Sequence, residues 1–179
     1  MHRLILFVVL MGTAPALCAQ SAPDSAALQR SVDELRRSIG LWNVTTEFLA
    51  PDGSVARSVT GTYEFAWVVP NRVVSGKSDI PEMRQVSGIL FYVNEVKQVI
   101  EMVAVGGDGN LWVMTGPLGG TTRYSQEYTA RDGGTGQLRF STYNVTDDAF
   151  ESKMEYTSDG GATWTQGNHQ RFVRARGAP

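Results

Sequence analysis

Phe150-Glu151-Ser152-Lys153-Met154-Glu155-Tyr156-Thr157-Ser158-Asp159-Gly160-Gly161 reads as one strand running into one tight turn. Glu151, Lys153 and Glu155 alternate with Phe150, Ser152, Met154 and Tyr156, a period of two that belongs to a strand with one wet face. Only one register is sensible. The charges face water and the other set faces inward, because a slip by one residue would exchange the two faces. The Ser-Asp-Gly-Gly run then provides side-chain acceptors for turn amides and glycines for positive φ.

The same grammar repeats on either side. Turn signals at 51–53, 69–71, 94–95, 106–110, 116–117, 132–134 and 146–148 separate strand-like runs over 41–49, 55–68, 72–78, 86–93, 96–105, 111–115, 121–131, 137–145, 150–157 and 164–174. About ten strands joined by short loops make an antiparallel meander. Left open, such a sheet exposes two unpaired edges, and closure removes both. The expected fold is therefore all-β: a closed antiparallel up-and-down barrel of about ten strands with one N-terminal helix. A two-sheet sandwich is the alternative.

The helix is read between the Pro23-Asp24-Ser25 start and Gly40, with Ala27, Leu28, Val32, Leu35 and Ile39 as its apolar stripe and Arg30, Asp33, Glu34, Arg36 and Arg37 off it. The runs at 86–93 and 96–105 are apolar on both faces over part of their length, so the helix is expected to cover them from outside. Ahead of it, Met1-His2-Arg3, an unbroken apolar run at 4–11 and the small residues to Ala19 have the order of a secretory signal peptide. That run is too short for a membrane span, which needs about 20 residues. The expected division is signal peptide 1–19, helix 20–40 and barrel 41–174, in a secreted or periplasmic protein. Cleavage after Cys18 or Ala19 leaves no integral membrane span. Lipidation of Cys18 is the weaker alternative, and loss of Cys18 leaves no thiol chemistry.

Composition limits the function classes. The chain has 179 residues, 42% of them hydrophobic and 19% charged, enough for one folded domain with a real core. Its net charge of −2 offers no basic footprint, so no nucleic-acid partner is expected.

Gly40-Leu41-Trp42, at the start of the first strand, resembles the G-x-W signature that opens calycin barrels such as lipocalins. That resemblance implies that Trp42 plugs one barrel end under an arginine of the last strand, either Arg171 or Arg174. Together with Gly61-Thr62-Tyr63, Pro70-Asn71-Arg72 and Ser87-Gly88-Ile89-Leu90-Phe91-Tyr92, the chain over 38–174 is similar to a family of secreted bacterial lipocalin-like proteins of unknown function. Thr157 to Trp164 matches S/T-x-D-x-G-x-T-W, the Asp-box of sialidase propellers. A propeller repeats the box in several blades, so a single copy is read as a hairpin device.

Candidate sites follow from the barrel. Tyr63, Phe65, Tyr92, Trp112, Met114, Tyr128 and Tyr143 are the expected cavity lining, with Tyr124 also considered. Glu101 and Glu64 are the candidate acid/base residues, since a carboxylate inside an apolar barrel has a raised pKa. No metal-ligand spacing and no nucleophile elbow are present. His169 is the single histidine after the leader. Nitrobindin-type ten-stranded barrels bind haem through a histidine near the C-terminus, which makes His169 a candidate haem ligand. Against it, Asn43-Val44-Thr45 replaces the glycines that follow the Trp in that family, and His169 lies on the opposite strand face from Phe172. The leading expectation is binding of a small, largely apolar molecule, with no cofactor and no catalysis. The rivals are an isomerase, cyclase or hydrolase working inside the barrel, the haem protein, and a filled barrel serving as an interaction module.

Overall fold

The structure, a computed structural model, describes residues 25–130 and 133–176, so the expected signal peptide and the Pro23-Asp24 start of the helix lie outside the described residues. One helix, α1 (Ser25–Ser38), precedes eleven strands: β1 (Gly40–Leu49), β2 (Val55–Val69), β3 (Val73–Ile80), β4 (Gln85–Asn94), β5 (Val99–Gly106), β6 (Leu111–Pro117), β7 (Thr122–Ser125), β8 (Tyr128–Thr129), β9 (Thr135–Tyr143), β10 (Ala149–Thr157) and β11 (Thr165–Arg174). Neighbours pair antiparallel around the molecule, and β11 pairs with both β10 and β1. The sheet is therefore a closed barrel. It has ten staves, because the two-residue β8 only extends the pairing of β7 along β9.

The run expected as one strand over 121–131 is interrupted after Ser125. There the Ser125 hydroxyl donates to the Gln126 carbonyl and accepts from the Leu138 N–H, while Gln137 Nε2 donates to the Ser125 carbonyl. Side chains have taken over ladder hydrogen bonds, so regular pairing stops.

The helix does not lie on the outer wall. Its buried residues Ala27, Ser31 and Leu35 recur at intervals of four, and Ala27 and Leu35 join one cluster with Trp42, Phe65, Val74, Val93, Ile100 and Leu118. Trp42, Val74, Val93 and Ile100 stand where β1 begins, β3 begins, β4 ends and β5 begins, all at one end of the barrel. Helix α1 thus closes that end. Val86, Leu90 and Val105 on the outer wall of β4 and β5 remain 45%, 36% and 43% exposed. The two-faced apolarity of those strands has no helical cover. Ser31, between two apolar positions of the buried face, accepts the Gly119 N–H at 2.8 Å and ties α1 to the β6–β7 loop.

The end plug joins three elements. The Arg174 guanidinium lies 4.3 Å from the centre of the Trp42 ring. It donates to the Ile39 and Arg37 carbonyls at 2.8 and 3.1 Å, satisfying acceptors at the C-terminal end of α1, and to the Asp147 carbonyl of the β9–β10 loop at 2.8 and 3.0 Å. Trp42 Nε1 donates to Ser38 O at 2.7 Å. Gly40 takes φ +121°, and a Cβ there would stand 2.8 Å from Arg174 Nη1. Arg171, the other expected stacking partner, is exposed on the outer wall opposite Thr45. It is one residue out of phase with the inward-facing Phe172.

Candidate functional site

Beneath α1 the barrel holds a cavity of about 350 Å³. Its aromatic walls are Tyr63 and Phe65 from β2, Phe91 from β4, Phe140 from β9, Phe150 from β10 and Phe172 from β11. Met102, Ala104, Ile89 and Met154 complete the apolar surface. The rings pack on one another: Phe150 stacks on Phe172 at 4.2 Å, Tyr63 meets Phe172 edge-on at 5.2 Å, and Phe65 meets Phe91 edge-on at 5.8 Å. Such pairs hold each ring in one orientation beyond what burial alone supplies. Gly76 is part of the wall's support, because a Cβ there would stand 2.4 Å from Phe65 Cδ1.

The cavity's exposed lining residues, Arg30, Arg37, Thr121, Val145 and Thr146, all belong to α1 and to the β6–β7 and β9–β10 loops. The mouth is therefore at the helix end. Deeper in the barrel the interior turns polar. Gln170 Nε2 donates to Tyr63 Oη at 3.2 Å and to Thr46 Oγ1 at 3.0 Å, and Ser152 Oγ donates to Gln170 Oε1 at 3.3 Å. Burial pushes the Tyr63 phenol above its ordinary pKa, so it stays protonated. This network gives the cavity a polar floor at Tyr63 and Gln170.

Among the described strand residues that line the cavity, one is charged. Arg123, on β7, is 1% exposed, lines the cavity, and donates from Nη2 to Glu34 Oε1 of α1 at 2.7 Å. Its guanidinium carbon lies 5.8 Å from the Phe91 ring centre.

Of the expected lining residues, Tyr63 and Phe65 reach the cavity and the others do not. Tyr92 and Glu101 are directly opposite each other on β4 and β5, one position out of phase with the lining residues Phe91 and Met102, and so face outward. Glu101 is buried there under its neighbours. The hydrogen bond from Tyr92, with help from Asn94 and Lys97, holds its carboxyl below the usual range, against the effect of burial. A barrel-interior base needs the opposite shift. Glu64 is exposed on the outer face of β2. Tyr143 stacks on His169 outside the barrel, with ring centres 6.0 Å apart. Trp112 shares the face of Ala104 but stands half-exposed at the end of β6 remote from the helix. Met114 is buried opposite Met102 without lining the cavity. Tyr128 is exposed and covers Gly136, and Tyr124 packs edge-on against Trp164 outside.

His169 faces outward as well, its ring nitrogens 3.4 Å from Glu47 and 3.2 Å from Glu151. The register with β10 shifts at Met154/Glu155, leaving Gly167 as the extra residue. That bulge precedes His169 and leaves its phase with Phe172 unchanged. No group of three or more His, Cys, Asp or Glu side chains suited to a metal ion occurs among the described residues. The Asp-box hairpin holds itself together: Asp159 accepts from Thr157 Oγ1, Thr163 N and Thr163 Oγ1 at 2.6–2.9 Å, and the Arg139 guanidinium covers Trp164 at 4.2 Å.

Sequence periodicity contained part of the missed lining. On β9 the charge of Arg139 already marks 139, 141 and 143 as the wet face and so assigns Phe140 inward. On β5 an outward Glu101 does the same and assigns Met102 and Ala104 inward. Arg123 had no such signal, since its inward charge breaks the alternation rule.

No protein-family model and no curated protein matches this chain. Among solved structures it is similar to the S-type phycobiliprotein lyase of Guillardia theta, at 12% identity with a TM-score of 0.51, covering 89% of this chain and 100% of that one. It is similar also to the M. tuberculosis protein Rv2717c, at 12% identity with a TM-score of 0.51, covering 82% of this chain and 98% of that one. At that identity the likeness is one of fold alone, a closed antiparallel β-barrel. Among the described residues no helix is long and apolar enough to cross a membrane.

Proposed function

We propose that this calycin-like barrel is a secreted or periplasmic binding protein that holds a small, largely apolar molecule without transforming it. The observation that carries this reading is the cavity of about 350 Å³, walled by phenylalanines and methionines beneath the helix. Its size falls in the range of about 300–1,000 Å³ usual for small-molecule sites. The same space counts against a barrel filled to native density. The outward placement of Glu64 and Glu101 supports binding over acid/base catalysis, and that of His169 supports a ligand held without it.

The test is native mass spectrometry, with an absorption spectrum, on protein purified from its own host. One small molecule per chain is expected. Ala104→Trp, which places an indole in the cavity, is expected to abolish that adduct while the variant remains folded. A wild-type chain that carries no molecule and takes up neither 1-dodecanol nor dodecanoate in titration calorimetry overturns the reading.

A further inference from the structure

The apolar chamber contains one unusual group. The Arg123 guanidinium has five donors, and a buried cation is tolerated when those donors find acceptors. Glu34 takes a hydrogen from Nη2, whereas Nε and Nη1 are buried with no hydrogen-bond partner among the described residues. These atoms belong to a side chain that lines the cavity. The other charges of the lining do not balance it: Arg30 and Arg37 stand at the mouth, and Glu34 is the lone carboxylate. Three arginines against one glutamate make the helix end of an otherwise apolar chamber electropositive.

Resting on the binding role proposed above, we propose that the ligand is an apolar carboxylic acid rather than a neutral apolar molecule. Its carboxylate accepts the unpartnered Arg123 hydrogens beneath Arg30, and its tail lies among Phe65, Phe91, Phe150 and Phe172. Charge-assisted hydrogen bonds to a guanidinium are strong, and the dry surroundings strengthen them further. At about 30 Å³ for each water-sized group, the cavity admits about a dozen non-hydrogen atoms. That is the size of a ten-carbon acid or of an aryl acid of similar bulk, and dodecanoate is two carbons longer.

Titration calorimetry with dodecanoate and with 1-dodecanol, at neutral pH and below micelle-forming concentrations, separates the head group from the tail. Dodecanoate is expected to bind the wild-type chain at least about tenfold more tightly than the alcohol. Arg123→Leu is expected to abolish the preference for the acid over the alcohol. Glu34→Gln keeps Arg123 and removes its competing carboxylate. It is expected to tighten dodecanoate alone, and it provides the readout if Arg123→Leu fails to fold. Equal affinities for the two ligands in wild type overturn this inference and leave the binding reading standing, as does a dodecanoate affinity that ignores both substitutions. Binding of neither ligand overturns both.

Discussion

Arg174→Ala is the most direct test of the end plug. The substitution removes a guanidinium 4.3 Å from the Trp42 ring and its hydrogen bonds to Ile39, Arg37 and Asp147. A partly exposed cation–π contact contributes about 0.5–1 kcal/mol. A hydrogen bond from a charged donor contributes about 1.5–3 kcal/mol. The bond to Ile39 O is partly buried and counts nearly in full, whereas the Arg37 and Asp147 carbonyls lie at the exposed rim and regain water. The expected loss is therefore about 2–4 kcal/mol. For a domain of this size that is a fall in Tm of roughly 6–12 °C. Thermal unfolding by circular dichroism reads it, and amide exchange should show α1 losing protection first. Arg174→Lys keeps the charge over Trp42 but not the planar fork, so it should recover about half of the loss. Arg171→Ala, on the outer wall, is the control and should change stability by less than about 0.5 kcal/mol. A fall of less than about 2 °C for Arg174→Ala, or equal effects at 171 and 174, would refute the plug.

Gly76→Ala should destabilise by about 1–3 kcal/mol in denaturant unfolding, because its Cβ would stand 2.4 Å from Phe65 Cδ1. Phe65→Leu in the same chain should relieve part of that loss. For Asp159, the hydrogen bonds from Thr157 and Thr163 depress the carboxyl pKa in the folded state. The stability it contributes is present above the unfolded value of about 3.9 and is lost as pH falls through the folded value, so Asp159→Asn should flatten the stability profile below about pH 4. His169→Ala and Tyr143→Phe, both on the outer wall, should leave the mass of any co-purifying molecule unchanged; loss of the adduct in either would place the binding site elsewhere.

Much of the fold was legible because strand periodicity and turn chemistry are local. The charge alternation of β10 sets its register, and the turns between strands follow from short runs of Gly, Pro, Asn and Asp. The barrel's closure was legible for a general reason, the cost of unpaired edges. Where a strand carried charge on one face, the lining could be read as well: Phe150 and Met154 were assigned inward in this way. Where it carried none, as in the Val-Ser-Gly-Ile-Leu-Phe-Tyr-Val run of β4, nothing local favoured Phe91 over Tyr92, and Tyr92 was the one expected inward. Only pairing with β3 and β5 turned Phe91 into the cavity and Tyr92 onto Glu101.

What the amino-acid sequence determined by itself was the all-β class, the count of staves, the phase of the charged strands and the outward phase of His169 relative to Phe172. The tertiary structure decided that α1 caps an end and not a wall, that Arg174 and not Arg171 stands over Trp42, and that Arg123 points inward with Glu34 beside it. The physical reason is separation along the chain. Arg123 and Glu34 are 89 residues apart, as are none of the neighbours that set a strand's alternation. An inward charge violates the local rule, and it becomes intelligible only when folding brings its counter-charge from the helix to the same end of the barrel.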